Sequence, residues 1–331
     1  QEEIDFFVNQ GYELNNNLFI FPYDWRKNID LTSGLLDEKI GLIKSQTESD
    51  KIDIVAHSMG GLVTRNYISD PSKAQNVRKL FLLGTPHLGS VKLLKAIQYG
   101  DCLLIEVGPF CLSIAPPEVN DVIQNMIGGF QLAPSQKYFD FYNGTGNNYP
   151  FPFRDDADID NNGVKGVLDY DQIKSLLTNL GHNTSLYTPS ETFHQLDNSL
   201  SNTNGVEVIN IIGSGLPTLG QIIEKYAIDI LGIKIPEKDE LLINGDSTVP
   251  LFSASLIDPR RNLSLLGNAK IYYTNQKHGS LVILGPALNL IKSLLNNISE
   301  LPEGVSTEPF KLKGRQLSVH SPVNIHVYDS S

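Results

Sequence analysis

The chain has 331 residues, 40% of them hydrophobic and 19% charged, which is typical of a globular protein with one large α/β domain or two smaller ones. Its formal net charge of −11 argues against a nucleic-acid partner, because phosphates repel an acidic protein, but it leaves binding to a lipid surface open. No uninterrupted apolar run approaches the roughly 20 residues of a membrane-spanning helix.

The first 87 residues alternate between helical and strand patterns. The predicted elements are a helix over residues 2–9, a buried strand over 18–21, a helix over 31–43, a strand over 52–55, a helix over 60–68 and a strand over 79–83. This alternation predicts right-handed βαβ units and a mostly parallel sheet with helices on both faces. Catalytic residues of such sheets lie at the carboxyl ends of strands, where Asp24, Ser58 and Thr85 fall.

The pattern breaks between residues 88 and 204, where Gly, Pro, Asn and aromatic residues are frequent. Short helices are predicted over 91–97, 119–127 and 170–180. Because insertions of this length are usually functional, we interpret 88–204 as a lid, with Gly128 and Gly129 as a hinge. The alternative is that its apolar residues form a small satellite core. The apolar residues that would line the inner surface of this lid are Leu103, Leu104, Ile105, Phe110, Met126, Ile127, Phe130 and Leu132.

The sheet pattern resumes after the insertion. The predicted elements are a strand over 206–212, a helix over 221–231, a strand over 270–274 and a helix over 281–296. We therefore assign 1–87 and 205–300 to an α/β core, 88–204 to a lid insertion, and 301–331 to the start of a C-terminal β segment with alternation over 317–327. The chain has neither an initial Met nor a visible signal peptide, and both ends look cut.

The stretch Ala56-His-Ser-Met-Gly60 follows a β-branched run and precedes a helical pattern, as expected for the nucleophile elbow G-x-S-x-G. A sharp strand-to-helix turn lifts Ser58 Oγ clear of the backbone, and small residues are needed two positions before and after it. The turn also directs the Met59 N–H toward the space beside Ser58, where it would stabilise an oxyanion. The alternative is a chance match in a helix or loop.

A serine hydrolase of this architecture needs an acid and then a histidine after the nucleophile. Asp246 lies in a turn-rich loop before the last predicted strand, and His278 lies just after that strand. His320 and His326 also follow Asp246, but their alternating segment favours the faces of a strand. The predicted triad is therefore Ser58, Asp246 and His278.

Four segments together resemble the lecithin–cholesterol acyltransferase-like branch of the α/β-hydrolases, which includes phospholipid–diacylglycerol acyltransferases. They are Pro22-Tyr-Asp-Trp-Arg26, Ala56-His-Ser-Met-Gly-Gly61, Leu83-Gly-Thr-Pro-His-Leu-Gly-Ser90 and Gly245-Asp-Ser-Thr-Val-Pro250. The resemblance covers roughly residues 1–300 and implies the same triad, with acyl esters of lipids as substrates. Within these segments we take Asp24, Trp25 and His87 as candidate substrate-binding residues; His87 would line the cleft or merely fix its loop.

Two departures from the family pattern stand out. Ser247 occupies a position where the family usually has Gly. The family's early strands, and the loop that supplies a second oxyanion donor, have no counterpart in this sequence. We therefore expect an α/β-hydrolase fold with a large lid insertion and missing N-terminal strands, in which Met59 N–H is the one oxyanion donor that can be named.

The leading functional prediction is a serine-dependent hydrolase or acyltransferase of lipase or phospholipase type, which forms an acyl-enzyme on Ser58. One alternative is an esterase or thioesterase for small acyl compounds. Another is a non-catalytic binding module on a hydrolase fold. The chemistry needs no cofactor, the expected partner is a lipid or membrane surface, and we expect an extracellular or membrane-associated location ahead of a cytosolic one.

Two further features of the sequence bear on stability. The segment from Asp158 to Asp169 fits the spacing of a calcium loop, with Asp158, Asp160, Asn162 and Asp169 as candidate ligands of a structural Ca²⁺ ion; the alternative is an acidic, turn-rich loop. Cys102 and Cys111 lie in one short segment, where either a local disulfide or two free thiols are possible.

Overall fold

The computed structural model describes residues 2–100, 106–107, 110–111, 116–143, 151–228, 234–258 and 263–314. The α-helices of these ranges are α1 (Glu2–Val8), α2 (Ile29–Thr47), α3 (Met59–Ser69), α4 (Pro71–Ala74), α5 (Val91–Tyr99), α6 (Pro116–Ile123), α7 (Ile127–Leu132), α8 (Gln136–Asn143), α9 (Tyr170–Asn179), α10 (Tyr187–His194), α11 (Leu251–Ser255) and α12 (Pro286–Leu295). Short 3₁₀ helices span Thr184–Leu186, Gln195–Ser199 and His278–Val282.

The strands form a main sheet, a second sheet and two small hairpins. They are β1 (Ile52–His57), β2 (Val77–Leu83), β3 (Glu106–Val107), β4 (Phe110–Cys111), β5 (Phe153–Asp155), β6 (Gly166–Val167), β7 (Glu207–Gly213), β8 (Leu216–Ile228), β9 (Lys234–Gly245), β10 (Ile257–Asp258), β11 (Leu263–Ser264), β12 (Lys270–Thr274) and β13 (Val305–Ser306). The main sheet has the order β1-β2-β7-β12-β13 and is parallel except for β13.

Alternation along β2 shows how the main sheet is covered. Leu80 and Leu82 pack into one apolar cluster with α2 and α3, whereas Phe81 and Leu83 pack into another with α1 and α12. Successive residues of a strand point to opposite faces, so helices cover both sides of β2. This arrangement confirms the predicted mostly parallel sheet with helices on both faces.

The prediction of a strand over 18–21 is wrong. Leu18 forms only an isolated bridge with Leu14, and the segment is half-exposed, with Ile20 42% accessible. Within the described ranges β1 pairs only with β2, and a cleft of about 900 Å³ separates its other edge from this segment. The apolar run therefore crosses the edge of the sheet without joining it.

The prediction of a helix over 221–231 is also wrong for residues 221–228, which belong to β8; residues 229–231 lie outside the described residues. This strand pairs with β9 in a long antiparallel hairpin, and the second sheet has the order β6-β5-β8-β9. Ile222 and Tyr226 are four residues apart, a spacing that places them on one face in a helix and in a strand alike. Cross-strand pairing, which a single segment does not reveal, decides between the two.

Several other elements lie near their predicted positions. The helix predicted over 119–127 is divided into α6 and α7, while α9 matches the helix predicted over 170–180. The stretch His278–Leu295 is long and apolar enough to cross a membrane by composition alone, but Gly285 separates its 3₁₀ turn from α12. Leu288, Leu290 and Ile291 of α12 are buried in the core. The alternation over 317–327 lies outside the described residues.

Candidate active site

Ser58 lies at a sharp turn between β1 and α3. Its backbone has φ 54° and ψ −125°, a combination that costs a non-glycine residue about 1–3 kcal/mol and is typical of a nucleophile at an elbow. The N–H of Ser58 donates to the Leu83 carbonyl at 2.9 Å, which fixes the turn to β2. A Cβ atom on Gly61 would lie 1.9 Å from Thr85 Oγ1, so this second glycine lets α3 approach the loop after β2.

His278 joins Ser58 to Asp246 through side-chain hydrogen bonds. Its Nε2 lies 2.9 Å from Ser58 Oγ, and its Nδ1 lies 2.7 Å from Asp246 Oδ2. Because a carboxylate can only accept, Nδ1 carries the proton and Nε2 accepts from the Ser58 hydroxyl. The Asp246 side chain is 1% exposed and that of His278 is 12% exposed. The three side chains predicted from chain order therefore meet in one partly buried cluster.

The loop after β9 orients the Asp246 carboxylate. Its Oδ1 accepts from the backbone N–H groups of Thr248 and Val249 at 3.0 and 2.7 Å, which leaves Oδ2 directed at His278. The His278 N–H also donates to the Asp246 carbonyl at 2.8 Å. Ser247 has φ +78°, a left-handed conformation that favours the glycine of the family pattern.

Two glycines that the sequence analysis did not select pack against this cluster. A Cβ atom on Gly84, which has φ +57°, would lie 3.0 Å from His278 Nδ1 and 3.1 Å from Asp246 Oδ2. A Cβ atom on Gly213 would lie 2.6 Å from Asp246 Cβ. Both follow or end strands of the main sheet, so the carboxyl ends of β2 and β7 form the floor beneath the His–Asp pair. In the sequence both glycines are visible only as residues that directly follow the predicted strands over 79–83 and 206–212.

Met59 is the first residue of α3, and its N–H belongs to the unpaired first turn of that helix. Its role as an oxyanion donor beside Ser58 stays a prediction. The side chain of Met59 also lies close to the insertion, because a Cβ atom on Gly128 would be 3.2 Å from Met59 Cε. The same Cβ atom would lie 2.1 Å from the Trp25 carbonyl oxygen.

The proposed hinge at Gly128 and Gly129 has a different explanation in the structure. Both glycines are buried in α7, and a Cβ atom on Gly129 would lie 2.9 Å from the Ile123 side chain. The Gly128 N–H donates to the Arg26 carbonyl at 3.2 Å. Gly128 permits close packing of α7 against the loop that contains Trp25, and Gly129 permits close packing against the end of α6, so hinge motion is not needed to explain them.

The three candidate substrate-binding residues have different surroundings. Asp24 accepts from Arg26 Nε and Nη2 at 2.7 Å each, and this hydrogen-bonded pair lowers the pKa of Asp24 to about 2. Trp25 is partly buried beside α7. Substrate contact by these two residues stays a prediction.

His87 is fully buried, and this burial, followed by the charge of Arg65, lowers its pKa to about 3. Arg65 Nη1 donates to Nδ1 of the neutral His87 ring at 3.2 Å. The same Nη1 also lies within donating distance of the His87 carbonyl oxygen, at 3.3 Å. Of the two roles that the sequence leaves open, this environment favours fixing the loop.

The side chains of the predicted calcium loop make hydrogen bonds within the protein. Asp158 Oδ1 accepts from the Gly163 N–H at 3.0 Å, Asp160 Oδ2 accepts from the Asn162 amide at 2.7 Å, and Asp169 caps α9. In the described part of the chain, no group of three or more His, Cys, Asp or Glu side chains is arranged to hold a metal ion. Calcium binding therefore stays a prediction from the sequence. The choice between a disulfide and free thiols stays open, because Cys102 lies outside the described residues.

Comparison with known proteins agrees with the family suggested by the motifs. Residues 1–109, which contain the elbow, match the family model of lecithin:cholesterol acyltransferase. This match supports assignment of the chain to the lecithin:cholesterol acyltransferase-like family.

One curated protein and one solved structure match this chain over different extents. The chain is 34% identical over 88 residues to the uncharacterized protein YJR098C of Saccharomyces cerevisiae, which corresponds to 26% of this chain and 13% of that protein. A solved structure, that of the Tle4–Tli4 complex, matches with a TM-score of 0.45 and 15% identity, over 83% of this chain and 66% of that chain. This chain thus spans only a small part of the yeast relative and just under two thirds of the solved chain.

Proposed function

We propose that this protein is a serine-dependent lipid acyl-ester hydrolase or acyltransferase. The observation that carries the proposal is the chain of hydrogen bonds from Ser58 through His278 to Asp246. The strained elbow at Ser58 and the family match over residues 1–109 add support from local geometry and from sequence.

The residues have separate tasks in this mechanism. Ser58 Oγ attacks the ester carbonyl while His278 Nε2 takes the hydroxyl proton, and the Met59 N–H donates to the oxyanion that forms. Asp246 holds the imidazole in the tautomer with Nδ1–H and stabilises its charged form. His278 then returns the proton to the leaving alcohol, and an acyl-enzyme remains on Ser58. Water completes hydrolysis, or an acceptor alcohol completes transfer, with His278 again acting as the base.

The lipid substrate class rests partly on the insertion over 88–204, which we propose as an acyl-binding lid. Packing of α7 beside Trp25 and Met59 brings part of this insertion next to the elbow. Phe130 is 2% exposed and Leu132 is 9% exposed, so these two belong to the core in the present conformation. Leu103, Leu104 and Ile105 lie outside the described residues. We also propose a lipid or membrane-surface substrate, and an extracellular or membrane-associated location ahead of a cytosolic one.

The proposal is tested by incubating the purified protein with phospholipid vesicles, with and without a sterol or long-chain alcohol, and identifying the acyl products. We expect release or transfer of a fatty acyl group, and Ser58→Ala and His278→Ala each reduce it by several orders of magnitude. Turnover by Ser58→Ala at a rate close to wild type contradicts the assignment.

Two other functions make different predictions in related assays. A small-molecule esterase or thioesterase would turn over acetate esters at least as well as long-chain esters, so a chain-length series of p-nitrophenyl esters separates it from a lipid enzyme. A non-catalytic binding module would not react with a fluorophosphonate. The hydrogen bond between Ser58 Oγ and His278 Nε2 favours an active nucleophile over this second alternative.

A further inference from the structure

His57 is the last residue of β1 and directly precedes Ser58. Its side chain turns toward His278: Nε2 lies 2.9 Å from the His278 carbonyl oxygen, and the two ring centroids are 4.7 Å apart with planes inclined at 42°. The proposed mechanism above does not use this ring. Its contacts nevertheless join the end of β1, directly before Ser58, to His278, the residue proposed as the general base.

The hydrogen-bond partner of His57 fixes its tautomer. A carbonyl oxygen can only accept, so Nε2 of His57 must carry a proton and donate it. Burial, followed by the nearby charge of His278, lowers the pKa of His57 to about 4. The ring is therefore neutral near neutral pH, with its proton on Nε2. A neutral ring adds no positive charge beside the imidazolium that His278 forms during catalysis.

The bond from His57 adds a side-chain contact to the main chain of His278. The imidazole of His278 is held by Ser58 and Asp246, and its backbone N–H donates to the Asp246 carbonyl at 2.8 Å. The His278 carbonyl begins the 3₁₀ helix His278–Val282 and also accepts from His57 Nε2 at 2.9 Å. His57 therefore ties the start of this helix to the end of β1, directly before Ser58.

We infer that His57 is a positioning residue that holds the main chain and ring of His278 in line with Ser58 and Asp246. This inference rests on the proposed function, because it assigns His57 a task in the reaction of Ser58. His57 acts through His278 and has no part in proton transfer. Its loss should slow the chemical step while leaving ground-state substrate binding intact.

A pair of variants separates the hydrogen bond from the space that the ring fills. The side-chain amide of His57→Gln retains an N–H that can reach the His278 carbonyl, whereas His57→Leu has no donor. We expect kcat of His57→Leu to fall roughly tenfold, the scale of one lost hydrogen bond, with KM unchanged. We expect kcat of His57→Gln to stay within about threefold of wild type on the same scale. Rates are divided by the fraction of sites that a fluorophosphonate titrates, which removes the effect of misfolded protein.

Three outcomes overturn the inference. In the first, His57→Leu retains the wild-type kcat. In the second, His57→Leu and His57→Gln are equally impaired, so the donated hydrogen bond is not what matters. In the third, His57→Leu raises KM and leaves kcat unchanged, which assigns His57 to substrate binding.

A measurement that needs no turnover separates this inference from the proposed function. The His278 Nδ1 proton, bonded to Asp246, is identified by ¹H NMR as a downfield signal that His278→Ala removes. We expect it to exchange faster with water in His57→Leu and at the wild-type rate in His57→Gln. Unchanged exchange in His57→Leu overturns the positioning role. If the exchange behaves as expected but wild-type protein neither turns over esters nor reacts at Ser58, the proposed function fails while the contact with His57 stands.

Discussion

The contact between Gly84 and the His–Asp pair allows a sharp test of the site geometry. In Gly84→Ala the new Cβ lies 2.7 Å from Leu281 Cδ1, 3.0 Å from His278 Nδ1 and 3.1 Å from Asp246 Oδ2. Leu281 can rotate, but the two polar atoms are held together and must shift by a few tenths of an ångström. A misplacement of about 1 Å at a catalytic centre costs about a hundredfold, so for a shift of a few tenths of an ångström we expect kcat/KM to fall roughly fourfold to tenfold.

The same substitution also carries a backbone cost that must be measured separately. An alanine in the left-handed region is destabilised by about 1–2 kcal/mol, and Gly84 has φ +57°. Gly181→Ala is the matched control, because Gly181 has φ +84° and nothing within 4 Å of its Cβ position. Urea unfolding should show a loss of about 1–2 kcal/mol in Gly181→Ala and a larger loss in Gly84→Ala, where the close contacts add to the backbone cost. Ester hydrolysis by the folded protein should fall only in Gly84→Ala. Activity of Gly84→Ala within twofold of Gly181→Ala refutes the reasoning.

Three further predictions concern stability. Ser247→Gly relieves the strain of φ +78° and should raise the free energy of unfolding by about 0.5–1 kcal/mol in urea; a decrease contradicts the strain argument. The pKa of His87 is lowered to about 3 and that of His57 to about 4, so both rings stay neutral in the folded state while the same histidines in the unfolded chain take up protons below pH 6.5. Each histidine should therefore lower the free energy of unfolding by up to about 1.4 kcal/mol per pH unit as the pH falls from 6.5 toward 4. If His87→Gln loses stability with pH as steeply as wild type, His87 does not make this contribution. If the loop over 158–169 binds calcium, saturation at about 100 times Kd should add about 2.7 kcal/mol, and an unchanged melting temperature after calcium addition refutes that site.

The sequence predicts the parts of the site that depend on local chain geometry. The small residues around Ser58, between an apolar strand and a helix, are sufficient to place the elbow. Chain order then selects Asp246 and His278, and the structure brings both to Ser58. The side chains meet because strand ends of a parallel sheet converge at one edge, so order along the chain limits which side chains can come together.

The parts that the sequence does not reveal depend on contacts between distant segments. The strand β8 has a spacing of apolar residues that fits a helix equally well, and only pairing with β9 decides its structure. Gly84 and Gly213 are ordinary strand-end glycines until Asp246 and His278 are placed beside them. Gly128 and Gly129 suggest a hinge in sequence, whereas in the structure they permit close packing of α7.

Covalent labelling tests the central proposal, that Ser58 is a nucleophile activated by His278, most directly. The protein is treated with a fluorophosphonate, its intact mass is measured, and the modified residue is identified by peptide sequencing. The account predicts one adduct per chain, located on Ser58, that is absent in Ser58→Ala and forms at least a hundredfold more slowly in His278→Ala, on the scale of lost general-base catalysis. Labelling of another residue, or equal labelling rates for wild type and His278→Ala, would contradict it.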